Sequence, residues 1–250
     1  MRKIYLLSCI TSMLLFTNCG STKHATSNDP KIPATFDYSP PSRGQVGSAN
    51  LTIALVRAKY VGNKKADFYA SPFKEMAASM GDDFEELLTA KGFTVRGPFG
   101  SRDEMVYNDK LNTDFALDVD IDMDQSQYNM RNVYNQGFGI YVPASWKTFG
   151  QIILNGKLVL TASSPQYGEK IWKKSIAIDP ATFTYASNIK FAREPSMSDL
   201  LNDDNKVYNS LTRELQNYYQ QALNLAWKQI EVLEMKSVAD QAKKADKKSS

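Results

Sequence analysis

Residues 113–125 read TDFALDVDIDMDQ, with Phe115, Leu117, Val119, Ile121 and Met123 on odd positions and Asp118, Asp120, Asp122 and Asp124 on even ones. A β-strand sends successive side chains to opposite faces, so this alternation predicts a strand with one apolar face and one ladder of carboxylates. Such a strand belongs to a sheet that is buried on one side and wet on the other. The rest of the chain must therefore supply neighbouring strands and a cover for one face only.

Both are legible. Residues 51–60 (LTIALVRAKY) read as a buried strand, and Ser71 and Pro72 then make a good N-cap and first helical residue. Phe73, Met76, Ala77, Met80, Phe84, Leu87 and Leu88 mark one helical face, and Lys91-Gly92 supplies the stop. A second strand, 93–99, completes a strand-helix-strand unit, and 101–104 opens a short helix. Beyond the aspartate strand come strands at 139–142, 150–163 and 170–178, the last two joined by the turn 164–169. Asn155-Gly156 fits a bulge within one long strand better than a hairpin with four-residue arms. From 197 to about 235, Tyr208, Leu211, Leu215, Tyr218, Ala222 and Leu225 keep helical spacing, and Ile230 and Leu233 continue it with a small phase shift. The expected fold class is α+β: a mixed, mostly antiparallel sheet with an early strand-helix-strand unit and a long C-terminal helix on one face.

The expected organisation is a signal peptide over 1–19, a flexible tether over 20–49, one α+β domain over 50–235 and a basic disordered tail over 236–250. Arg2 and Lys3 precede the apolar run 4–16, which is too short to span a bilayer, and Cys19 stands where a lipoprotein signal would be cleaved and acylated. Cys9 leaves too little apolar sequence upstream for that role, and an ordinary secretory signal is the alternative. Acylation would hold the protein durably on a membrane, each buried methylene adding about 0.8 kcal/mol. Losing Arg2 and Lys3 takes the formal charge from +3 to +1, which argues against a nucleic-acid partner. No cysteine follows Cys19, so the domain is held by its core, about 190 residues being enough for one. The single histidine, His24, lies in the tether, which excludes Ser-His-Asp chemistry and a His-ligated zinc from the domain.

Three features could carry function. The D-x-D-x-D of the ladder lacks the glycine and glutamate of an EF-hand, since Met123 and Asn129 stand there. Same-face carboxylates about 6.6 Å apart repel by only about 0.6 kcal/mol in water. A solvated face, paired with lysines such as Lys170, Lys173 or Lys174, therefore explains Asp118, Asp120, Asp122 and Asp124 without an ion. A divalent-cation or partner site is the alternative. Next, residues 126–146 interleave Tyr128, Tyr134, Phe138, Tyr141 and Trp146 with Asn129, Asn132, Asn135, Gln136 and Arg131. Flat rings, amides and one guanidinium suit an acidic sugar, though the same rings could pack on the sheet. Tyr218, Tyr219 and Trp227 on the last helix read as packing residues. No nucleophile-base pair, phosphate loop or metal spacing occurs, and Glu75, Glu85 and Glu86 sit beside lysines on a helix, so no enzyme activity and no cofactor are expected.

The order of pieces, a lipoprotein cysteine, an extended tether, LTIALVRAKY, a helix ending LLTAKGFTV, DFALDVDIDMD, GQIILNGKLVL, KIWKKSIAID and a lysine-ended helix, resembles the neuraminyllactose-binding haemagglutinin (HpaA-like) lipoproteins of Helicobacter and relatives. The resemblance covers most of 51–248. It implies a lipid-anchored outer-membrane or surface protein linked to adhesion through sialylated glycans. The basic run tied to sialic acid in that family would fall just after the aspartate strand, where residues 125–136 hold only Arg131. Such a ligand would be bound through the 126–146 stretch, where Tyr128, Arg131, Tyr134, Tyr141 and Trp146 are the candidate ligand residues read from its rings and guanidinium. A structural or assembly lipoprotein acting through envelope protein partners is the alternative function.

Overall fold

The structure is a computed structural model and describes residues 29–62, 68–124, 129–136, 145–187, 193 and 196–249. It is α+β, built on one open, mostly antiparallel sheet of six strands with helices on one face. β1 (Thr52–Val61), α1 (Phe73–Ala90) and β2 (Thr94–Phe99) form the expected strand-helix-strand unit, with β1 and β2 parallel. A 3₁₀ turn (Arg102–Glu104) and the short α2 (Tyr107–Leu111) lead into β3 (Phe115–Asp124), which lies parallel to β1 on its other edge.

β4 (Asn129–Asn135), β5 (Ser145–Ser163) and β6 (Lys170–Ala186) make the antiparallel half. β5 is long enough that β3 pairs with its second half and β4 with its first, so the two sit end to end along one edge of it. β6 covers the other edge over almost the whole length. β5 is the single strand expected, but the extra residue at its middle belongs to its partner: Gly156 pairs with Ile178 and Leu154 with Ala181, so the bulge falls on Asp179-Pro180. It reverses the alternation of β6. Ile176 and Ile178 point into the core before it, Phe183 and Tyr185 after it.

The odd residues of β3 are buried and its aspartates look outward. Beneath the buried face lies one core joining α1, α4 (Asn205–Gln229) and α5 (Val232–Ser249) to the sheet. Ser71 does not cap α1. Pro72 occupies the cap position without a side-chain bond, and the Ser71 hydroxyl meets Tyr208 Oη at 2.8 Å. On the outer face only a small patch is covered, where Met105 seals Ala54 and Ala116.

The one long helix expected over 197–235 is three: α3 (Met197–Asp203), α4 and α5. Asp204 breaks the first junction and caps α4 through the amides of Lys206 and Val207. Ile230, extended and fully buried, breaks the second. The phase shift at Ile230 is that break.

Both ends of the expected domain move outward. The expected tether is packed on the domain from Asp29 onward: 29–38 lies on α4 as an extended strap with Phe36 and Tyr38 buried, and 43–49 turns against the end of α1, where the Gly44 N–H donates to the Ala90 carbonyl and the Ala49 N–H to that of Gly92. Amides on α4 hold its backbone: Asn205 donates to the Asp29 carbonyl, Asn209 to Pro30, Gln216 to Thr35 and Gln220 to Asp37, while Asn209 Oδ1 accepts the Ile32 N–H. The basic tail is not disordered either. It continues α5, with Met235, Val238, Ala239 and Ala242 buried at helical spacing and Lys243 Nζ 2.9 Å from Asp114.

Candidate functional site

The register of β3 fixes how its carboxylates are neutralised. Lys59 stands opposite Asp120 on β1, with Nζ 3.7 Å from Asp118 and 3.9 Å from Asp120, and Lys157 stands opposite Asp122 on β5 at 3.2 Å. These two lysines replace the partners expected from sequence. Lys173 lies one strand further out, opposite Thr161, and with Lys170 acts on Asp120 only at a distance. Lys174 points to the helix side, where Nζ donates to the Gln229 carbonyl and to Glu234 at 2.7 Å each. Burial pushes the Asp120 carboxyl above the usual carboxylate range, and Lys59 opposes the shift. Among the described residues no group of three or more potential ligand side chains is placed to hold a metal ion.

The second candidate region is divided by its own strand alternation. Arg131 pairs with Phe149 and Tyr134 with Trp146, three residues apart along β4 and therefore on opposite faces. Tyr134 and Trp146 form a tilted ring pair, centroids 5.1 Å apart, on the helix side, where Trp146 packs against the core. Arg131 stands on the outer face and is exposed. Tyr128 and Tyr141 lie outside the described residues. The ligand set Tyr128, Arg131, Tyr134, Tyr141 and Trp146 is thus not one surface: Arg131 is separated from the Tyr134–Trp146 pair by the sheet itself.

What Arg131 does share is an open groove of about 480 Å³ with Phe149, Gly150, Gln151, Thr184, Tyr185 and Ala186. The row Arg131–Phe149–Ala186 crosses β4, β5 and β6, and the next, through Gln151 and Thr184, runs beside it. Phe149 keeps 40% of its surface exposed, an aromatic face available for stacking. Among the described residues no carboxylate pairs with Arg131. Sequence reasoning missed Phe149, Gln151 and Thr184 because they come from strands distant in the chain. The bulge at Asp179-Pro180, which sets Thr184 outward, is marked in the sequence by the proline, which strands carry at edges and bulges.

The tyrosine-rich helix is packing, as its spacing suggests. Tyr218 and Tyr219 are buried, and Trp227 lies under Lys91 Nζ at 4.2 Å. Tyr219 Oη donates to Asp83 on α1, and Phe36 of the strap packs its ring 5.3 Å from that of Tyr219. Burial drives the Asp83 carboxyl up to about 6, opposed by the tyrosine bond and reinforced by Asp37, Glu86 and Asp82. Burial likewise raises Tyr60, Tyr218 and Tyr219.

No family model matches the chain, and no curated protein matches it in sequence. Solved structures do. A candidate neuraminyllactose-binding hemagglutinin homolog from Helicobacter pylori superposes with a TM-score of 0.54 at 13% identity, covering 84% of this chain and 99% of its own. The lipoprotein GNA1162 from Neisseria meningitidis aligns at 14% identity over 67% of this chain and 99% of its own, with a TM-score of 0.25. The first likeness shows a shared fold. Among the described residues no helix is long and apolar enough to cross a membrane.

Proposed function

We propose that the protein is a non-catalytic lipoprotein of the cell envelope, anchored through Cys19, whose domain binds an acidic glycan in the groove between β4 and β6. The observation that carries this reading is Arg131, which pairs with no carboxylate among the described residues, beside Phe149 in an open groove. A guanidinium pairs bidentately with a carboxylate such as that of a sialic acid. Phe149 offers its ring to the apolar face of a pyranose, and Gln151 and Thr184 offer hydrogen bonds to hydroxyls. The fold shared with the Helicobacter pylori structure supports the reading, as does the lipoprotein pattern around Cys19. The test is a glycan array with residues 20–250. Sialylated glycans should bind and Arg131→Ala should abolish the signal; an array without sialylated binders, or a signal indifferent to Arg131→Ala, refutes the glycan site. For the anchor, Cys19→Ala should move the protein from the membrane to the soluble fraction.

A second reading, an assembly lipoprotein working through protein partners, is favoured by the exposed Val106, Tyr107 and Leu111 on and beside α2. Crosslinking in intact cells from Tyr107 should then capture an envelope protein that Tyr107→Ser loses.

A further inference from the structure

The strap and the groove meet at one end of the molecule. Asn205 holds the Asp29 carbonyl at 2.7 Å, and its neighbour Asp204 accepts the Ser187 hydroxyl. The Ser187 N–H donates to the Thr148 carbonyl at 2.8 Å, and the Thr148 hydroxyl to Asn132 Oδ1 at 2.8 Å. An unbroken run of contacts thus leads from the first residue of the strap to the middle of β4.

Nine residues, 20–28, separate Cys19 from Asp29. Fully extended they reach about 30 Å, and as a flexible coil about 17 Å. β5 runs about 60 Å from its start at Ser145 beside this lobe to its end at Ser163 beside α2 and the end of α5. An anchor at Cys19 therefore keeps the β4 end of the sheet within about 30 Å of the bilayer and places no such restraint on the α2 end.

The lobe near the anchor has a composition of its own. Residues 129–135, 145–153 and 181–186 contain Arg131 and Lys147 and not one aspartate or glutamate. Both cations are exposed on the outer face, where Lys147 pairs in register with the exposed Val133 and Arg131 with the exposed Phe149. Lys206 and Arg213 flank the first residues of the strap together with the single carboxylate of Asp29, and Asp199 is paired with Arg193 at 2.8 Å. The carboxylate ladder occupies the other half of the same face. Cations with exposed apolar side chains between them are what an anionic lipid surface attracts, each lysine or arginine contributing about 1 kcal/mol there.

We propose that the lobe formed by β4, the first half of β5 and the last third of β6 seats on the bilayer that holds the lipid anchor and takes its acidic headgroups through Arg131 and Lys147. The proposal rests on the anchor part of the reading above and goes beyond it: a lipid headgroup of the protein's own membrane is a second acidic ligand for Arg131.

Residues 20–250 retain every core residue and contain no cysteine, so single cysteines can be labelled cleanly. This unacylated chain should co-sediment with phosphatidylglycerol–phosphatidylcholine vesicles and not with pure phosphatidylcholine. Arg131→Glu with Lys147→Glu should weaken binding at least tenfold, while Lys244→Glu with Lys247→Glu at the far end should not. An environment-sensitive dye on Val133→Cys should shift to the blue on adding anionic vesicles, and the same dye on Tyr107→Cys should not. Absence of vesicle binding, indifference to the Arg131/Lys147 pair, or a shift at position 107 alone would overturn the proposal. Sialoglycan binding without vesicle binding defeats this inference and leaves the glycan reading standing; vesicle binding without any array signal does the reverse.

Discussion

Asp83→Asn should stabilise the fold at neutral pH and do nothing for it in acid. Asp83 is 7% exposed and accepts the Tyr219 hydroxyl where α1 meets α4. Burial pushes its carboxyl up to about 6 in the folded protein, against 3.8 for a freely solvated aspartate. A carboxyl whose pKa is raised by folding prefers the folded state when protonated. Its penalty is therefore absent below the unfolded pKa, grows as pH rises from about 4 to about 6, and is constant above. At 1.36 kcal/mol per unit the full penalty is up to about 3 kcal/mol. Asparagine keeps an oxygen to accept the Tyr219 hydroxyl and carries no charge. Urea unfolding of residues 20–250 should thus show the variant more stable by about 2–3 kcal/mol at pH 8 and within about 0.5 kcal/mol of the parent at pH 4. A difference that does not vary with pH, or a variant less stable at pH 8 than at pH 4 relative to the parent, would refute the assignment of burial as the dominant cause.

Phe36→Ala tests whether the strap belongs to the fold: a buried aromatic truncation costs about 3 kcal/mol, read as a lower urea midpoint, where a free tether would show no change. A Cβ at Gly156 would come within 2.7 Å of the Asp122 carbonyl oxygen and 3.0 Å of Tyr218 Oη, so Gly156→Ala should cost about 1–3 kcal/mol. The Tyr218 hydroxyl is buried without a hydrogen-bond partner among the described residues, so Tyr218→Phe should leave the melting temperature unchanged or raise it, and should relieve part of the Gly156→Ala loss when the two are combined.

The elements with a strong period were legible. The alternation of β3 announced both its buried face and its orientation, and the apolar stripe of α1 placed that helix on the core. The strap was hidden because its polar backbone is satisfied by amides from a helix about 180 residues later, Asn209 and Gln216 among them, and nothing local records that. Lysines concealed α5, since Lys243, Lys244, Lys247 and Lys248 surround the small buried residues that make its packing face. At the site, Arg131 was visible as a lone cation among amides and rings. Its neighbours were not, because same-face partners across a sheet depend on register. A β6 bulge sets Thr184 outward, and strand parity sends Tyr134 and Trp146 to the other side.

The most direct test of the site is a titration of 3′-sialyllactose into isotopically labelled residues 20–250, followed by amide chemical shifts. Shifts centred on Arg131, Phe149, Gln151 and Thr184, lost in Arg131→Ala, are the predicted result. No shifts, or shifts centred on the aspartate ladder or on the Tyr134–Trp146 face, would contradict it.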